Sequence, residues 1–326
     1  MKRLASAALL GALWAGLAPA QTATAPAPAA ATAPPAAGGA APAGPAPAWL
    51  APDQYLFASG EAAALSRATW AALVDYVTRA MAQPQRQGMV LSAGATLDAP
   101  SFVPCDNKPP AVVTDIDESA ILNVGWQYDD VVAGGRRFDA ARWRRWEATG
   151  AGKVAPTPGA VEAVSRLRAL GVEVIFNSNR DESASDATVR ALATAGLGRV
   201  EPGRTLFLRA AGNERGGKDA RRQQIAADHC VLAMLGDQLG DFSDLFDTGQ
   251  SPLQRRSATT LPAIADLWGE GWFLMPNPLY GTALRGQVDD IFPGGLRWTD
   301  PGAAAPPGPG SPAATPSVPT SSSPLK

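Results

Sequence analysis

The chain is poor in the residues on which much metal and nucleophilic chemistry relies. Among 326 residues there is one histidine, His229, two cysteines, and five lysines against 23 arginines. A lone imidazole excludes any site that needs two, such as a His-pair zinc site or an HExxH metalloprotease helix. Two cysteines exclude a zinc ribbon and a disulfide-built scaffold. Charge of one sign is also missing: 28 basic residues face 30 acidic ones, so the overall field calls for neither nucleic acid nor an anionic membrane. Catalysis in such a chain has to lean on carboxylates, hydroxyls, a rare lysine or a hard metal ion.

Long apolar runs are missing too. The longest begins at Leu4 and ends at Leu17, behind Lys2 and Arg3 and ahead of Ala18-Pro19-Ala20. That is the pattern of an export signal over residues 1–20, too short to span a bilayer comfortably. No cysteine stands directly after the expected cleavage point, the two in the chain being Cys105 and Cys230, so no lipid attachment is expected. Residues 21–48 are almost all Ala, Pro, Thr and Gly, and residues 301–326 are rich in Pro, Gly and Ser. Such stretches have little apolar surface to bury and are expected to be disordered. Residues 49–300 remain to fold, within the range of a single α/β domain.

In that interval, apolar residues at Ala64, Leu65, Ala68, Ala72, Leu73, Val77 and Met81 recur at helical spacing and predict a helix from Gly60 to Gln83. Short continuous apolar runs follow at 111–114, 172–176, 205–208 and 231–235, with a fifth candidate at 273–275. Helical patterns lie between them at 158–170, 184–195 and 217–228, the first two closed by Gly171 and Gly196. Apolar strands alternating with helices imply a doubly wound α/β fold, a parallel sheet covered on both faces. Ligands in such sheets bind beyond the carboxyl ends of the strands.

Three of these strands end in polar groups: Asp115-Ile116-Asp117-Glu118-Ser119, Asn177-Ser178-Asn179-Arg180, and Gly236-Asp237 with Asp241 four residues on. Asp115 and Asp117, two apart in extended chain, would project to one side and repel unless a cation intervenes. With Asp237 they could form an oxygen-rich Mg²⁺ site. One aspartate could then attack phosphorus while the other moves a proton to the leaving oxygen. Ser178 and Lys218, which opens the 217–228 helix, are suited to the remaining phosphoryl oxygens. Each piece alone is weak, since Asp and Asn are common after strands and a single lysine is usually solvated. Their order and placement make the set informative.

DIDES, SNR, Lys218-x-Ala220-Arg221-Arg222 and Gly236-Asp237-x-x-x-Asp241-Phe242 resemble the four motifs of the haloacid dehalogenase superfamily. The similarity is greatest to the class C acid phosphatase and lipoprotein-type 5′-nucleotidase group, over about residues 53 to 290. The resemblance implies a Rossmann-like fold with a small helical cap at about 120–157. It makes Asp115 the nucleophile and Asp117 the acid–base, the latter also giving a backbone carbonyl to Mg²⁺. Asp115, Asp117 and Asp237 would hold that ion, supported by Asp241, while Ser178 and Lys218 hold the phosphoryl group. Asn179 is taken as a substrate contact. Ser119 stands where the family usually has Thr, and the lipoprotein cysteine is absent.

Residues between the first strand and the helix at 158 are too many for a plain loop and carry Trp126, Tyr128, Phe138, Trp143 and Trp146. Aromatic faces suit a nucleobase or phenyl ring, although Trp143 and Trp146, three apart, could equally form the core of a cap. By the resemblance, Phe138 and Tyr280, with Trp143 behind them, would clasp the base of a nucleoside monophosphate. It also sets the strands carrying Asp115 and Asp237 side by side, with Cys105 and Cys230 near their amino ends, where a disulfide is open to an exported chain. The expected partner is a small phosphate monoester, with no nucleic acid polymer and no stable membrane span; a homodimer is left open.

Overall fold

The computed structural model describes residues 48–300, except 136–137, 212–216 and 293. The expected signal, the linker up to residue 47 and the 301–326 tail lie outside the described residues. Helical turns at Ala51–Asp53 and Gln54–Ala58 lead into α1 (Gly60–Met81). The Ser59 side chain accepts a hydrogen bond from the Ala62 amide, capping α1. The face of α1 that packs inward overlaps the predicted one only at its C-terminal part, through Leu73, Val77 and the partly buried Met81. Ala64, Leu65, Ala68 and Ala72 are exposed, and the buried stripe is Ala62, Ser66, Trp70, Leu73, Val74 and Val77. The large Trp70 ring, whose Nε1 donates to Thr157 Oγ1 at 3.0 Å, outweighs several alanines in setting the helix rotation.

The remaining elements follow in chain order. They are β1 (Pro110–Thr114), β2 (Ile121–Leu122), α2 (Val124–Val132), α3 (Ala140–Thr149), β3 (Ala155–Pro156), α4 (Ala160–Ala169) and β4 (Glu173–Asp181). After these come α5 (Ser185–Thr194), β5 (Leu206–Arg209), α6 (Asp219–Asp228), β6 (Cys230–Gly236) and β7 (Trp272–Leu274). All five expected strands are present and every pairing in their sheet is parallel, in the order β5-β4-β1-β6-β7. β4 runs on through the Ser178-Asn179-Arg180 motif rather than stopping at Asn177. β2 and β3 form a separate antiparallel pair that brackets α2 and α3.

Alternate strand residues bury on opposite faces, as the period of two requires. Val112, Val174, Phe176 and Leu232 pack with Trp70, Leu73, Val77 and Leu167 of α1 and α4. Ala111, Val113, Ile175 and Val231 pack on the other side with Ile225, Phe242, Phe246 and Trp272. Cys105 and Cys230 are joined in a disulfide with a Cα–Cα distance of 4.4 Å. Cys230 opens β6 opposite Pro110, so the bridge closes the amino-terminal edge of the sheet. His229 ends α6 and sets its Nε2 2.8 Å from Glu173. Among the described residues no helix is long and apolar enough to cross a membrane.

Candidate active site

β1 lies between β4 and β6, and the chain steps from β1 to β4 on one side and to β6 on the other. The resulting crevice at the carboxyl ends of the strands is where open α/β sheets place ligands. Asp115 leaves β1, Ser178 lies near the end of β4, and Asp237 follows β6. All three line one cavity of about 1440 Å³, together with Asp117, Asn179, Lys218, Asp241, Phe138, Trp143 and Tyr280. Every candidate residue of the sequence reading therefore faces the same space.

Three carboxylates meet at its floor. Oxygens of Asp115, Asp237 and Asp241 lie within 4.8 Å of one another, and all three residues are buried. Ser119 Oγ stands between two of them, 3.0 Å from Asp115 Oδ2 and 2.9 Å from Asp237 Oδ1. Lys218, at the start of α6, directs its ammonium to Asp115 Oδ1 and, at 2.7 Å, to Asp241 Oδ1. Burial pulls that ammonium down, but the two carboxylates outweigh it and its pKa ends above the ordinary lysine value. Asp115 is held well above the usual carboxylate range. Burial is the main cause, and Asp241, Asp237 and Asp117 add to it against the opposing Lys218. Burial and Asp241 push Asp237 up to about 7, although Asn277 and Gln238 donate to it at 2.7 and 2.9 Å.

This arrangement suits a hard divalent cation. Lys218 serves only two of the three buried carboxylates, Asp237 has no cationic partner among the described residues, and the clustered ligand atoms are carboxylate oxygens. Gly236 is required by the close return of the chain, because a Cβ there would sit 2.3 Å from the Asp241 carboxylate.

The Asp117 side chain does not join this group. The shared side-chain direction expected from the two-residue spacing gives way to a different geometry, while a backbone carbonyl from Asp117, as the resemblance implies, does not depend on that direction. β1 ends at Thr114, so Asp115 and Asp117 are not related by strand alternation. Asp117 turns to Arg180, whose Nη2 and Nε donate to its Oδ1 at 2.7 and 3.0 Å. Glu118 follows in a left-handed conformation, φ 55°, which is costly for a residue with a Cβ. Its buried carboxylate accepts from the Asn123 backbone and from the Tyr280 hydroxyl. Burial and the charge of Asp117 push it up to about 7.

Ser178 Oγ accepts from the Arg180 amide at 3.1 Å, and Asn179 is exposed at the strand end. Arg221 donates to Asn177 Oδ1 and Asn179 Oδ1 at 2.6 and 2.7 Å, bracing the end of β4 from α6. Burial pulls its pKa down to about 10. The aromatic residues divide. Phe138 is largely exposed, and Trp143 meets it at 6.5 Å and packs edge-on against Trp126 at 5.0 Å. Trp146 points elsewhere and donates its Nε1 to Asn123 Oδ1 at 3.0 Å. Sequence reasoning assigned no role to Glu118, Asn123, Arg180 or Arg221. Three of these lie inside quoted motifs, but nothing in the spacing marked Asn123.

The comparison with known proteins agrees with the geometry. Two solved structures share the fold, both class C acid phosphatases from Bacillus anthracis. One, with tungstate bound, gives a TM-score of 0.58 at 23% identity over 74% of this chain and 93% of that one. The other gives 0.58 at 25% identity over 72% and 86%. No curated protein matches the chain in sequence. The profile of the HAD superfamily, subfamily IIIB (acid phosphatase), matches residues 56–283, from the start of the folded region to beyond Tyr280. The chain belongs to that family and is a phosphoric monoester hydrolase.

Proposed function

We infer that the enzyme is an exported, Mg²⁺-dependent phosphomonoesterase that works through an aspartyl phosphate and takes nucleoside 5′-monophosphates as its leading substrates. The observation that carries this reading is the buried group of Asp115, Asp237 and Asp241 with Lys218 seated between two of them. Asp115 is the nucleophile. Its Oδ1 is oriented by Lys218 and its Oδ2 by Ser119, so the carboxylate is aimed before substrate arrives. Lys218 and Ser178 bind the phosphoryl oxygens, and Asp117 supplies the proton to the leaving oxygen. Asp115 and Asp237, with Asp241 behind them and the Asp117 backbone carbonyl, would hold Mg²⁺, which when bound neutralises charge on the phosphoryl group.

Phe138, Trp143 and Tyr280 on the cavity wall favour an aromatic leaving group. The cavity volume exceeds what a typical small-ligand pocket offers, about 300–1,000 Å³, and favours a second reading of broader action on aryl and sugar phosphates. The reading of export is supported by the Lys2-Arg3 pair, the short apolar run and the small residues before Gln21.

The test is turnover of a panel of phosphate esters with Mg²⁺ or with EDTA, alongside Asp115→Asn. Chelation is expected to abolish turnover reversibly, and Asp115→Asn to abolish it under all conditions. Substantial activity in that variant removes Asp115 as nucleophile, and indifference to EDTA removes the metal.

A further inference from the structure

Asn123 lies outside every motif, yet it is 1% exposed and its side chain bonds to four residues, two of which, Asp117 and Arg180, line the cavity. It occupies the N-cap position of α2 but makes no capping hydrogen bond to that helix. An asparagine there ordinarily stabilises the helix by accepting from a first-turn amide. Here the amide is diverted. Its Nδ2 donates to Asp117 Oδ1 at 2.8 Å and to Glu118 Oε1 and Oε2 at 3.1 and 3.3 Å. Its Oδ1 accepts from Arg180 Nη2 and from Trp146 Nε1, both at 3.0 Å. The orientation is set by its neighbours, since a flipped amide would place oxygen against two carboxylates and nitrogen against two donors.

We propose that Asn123 is the positioning residue of the acid–base step. This rests on the reading of Asp117 as proton donor. Asp117 Oδ1 is saturated by Asn123 Nδ2, Arg180 Nε and Arg180 Nη2, whereas Oδ2 receives only the shared Arg180 Nε at 3.1 Å. Oδ2 is therefore the oxygen left to carry the transferable proton. As the Asp115–phosphorus bond forms and the phosphorus–oxygen bond of the ester breaks, that proton passes to the leaving oxygen. When water attacks the aspartyl phosphate, its proton returns to Asp117, the Asp115–phosphorus bond breaks, and inorganic phosphate leaves.

The same amide reaches the region that receives the leaving group. Trp146 stands on α3, one turn from Trp143, and Glu118 accepts from Tyr280; Trp143 and Tyr280 both line the cavity. Asn123 thus registers the proton donor against the leaving-group wall.

The readout is the ratio of kcat/KM for an alkyl ester, AMP or glycerol phosphate, to that for 4-nitrophenyl phosphate. An alkoxide needs the proton and a nitrophenolate does not. General acid catalysis is worth roughly 10²–10⁴-fold, so misplacing the acid in Asn123→Ala is expected to lower the ratio by at least about tenfold. Trp146→Phe keeps a buried ring and removes only the indole N–H; it is expected to lower the ratio by about threefold, a fraction of that range. It reads the same junction if Asn123→Ala does not fold. Equal losses on both esters, or an unmoved ratio in a folded variant, overturn the proposal. An inert wild-type enzyme takes down the phosphatase reading and this inference with it, whereas an active one with an unmoved ratio takes down the inference alone.

Discussion

Replacing both Cys105 and Cys230 by alanine tests the link between topology and stability quantitatively. The bridge closes a loop with a sequence separation of 125 residues. Chain-entropy reasoning for a loop of that length gives about 5 kcal/mol of stabilisation at 25 °C, at the top of the usual range. That loop contains β1, the Asp117 and Asn123 region, β4 and all of α6, so most of the active site is assembled within it. For a domain of this size each kcal/mol corresponds to roughly 2–4 °C, which places the expected loss in Tm at about 10–20 °C. The bridge sits at the amino-terminal edge of the sheet and the carboxylates at the opposite edge, so kcat/KM at 25 °C is expected to stay within about twofold, as for distant independent sites. Differential scanning calorimetry of the oxidised wild type and the double variant, with turnover measured on the same samples, makes the comparison. A Tm drop under about 3 °C, or a catalytic loss larger than the stability loss explains, would refute the reasoning.

Other outcomes follow from the charges. Lys218→Met leaves Asp115 and Asp241 buried without their ammonium and is expected to cost about 3–5 kcal/mol; turnover should fall by at least about 10³-fold, as for loss of a group that stabilises transition-state charge. Restored stability in a further Asp241→Asn change would show that the cost is electrostatic. In EDTA, Glu118 and Asp237, both raised to about 7, hold protons in the folded state that the unfolded chain has already released. The metal-free protein is therefore expected to lose stability as pH rises from about 4 to 7. Urea midpoints across that range check the sign, and a midpoint that rises with pH contradicts it. Phe138→Ala and Tyr280→Ala are expected to raise KM for AMP more than for a sugar phosphate, and equal effects on the two would end the base-clasp idea.

Much of this was legible in the residues because two signals reinforced each other. Apolar runs such as Val231–Leu235 are continuous because they are buried on both faces, and each stops where a polar group enters the crevice. The polar groups at their ends, Asp115, Ser178 and Asp237, were read from that stopping point. The N-terminal part of the α1 face, at Ala64, Leu65, Ala68 and Ala72, was misjudged because counting apolar positions gives alanine the same weight as tryptophan, whereas buried area does not. For Asp117, which does line the cavity, only the direction of the side chain departs from the reading of the spacing. Two-residue spacing implies a shared side only in extended chain, and the backbone past Thr114 is no longer a strand. Asn123 could not be found by pattern at all. Its neighbours come from residues 23 and 57 positions later in the chain, and its short polar side chain resembles any other helix cap.

The left-handed Glu118 has a consequence for how this enzyme can change. Glycine at residue 118 would remove a backbone penalty of about 1 kcal/mol, but it would take the acceptor from the buried donors of Asn123 and from the Tyr280 hydroxyl. It would also free the loop on which Asp115 and Asp117 are mounted. The strain at residue 118 is thus held in place by the same hydrogen bonds that order the loop beside the chemistry, so it cannot be relaxed without loosening the site.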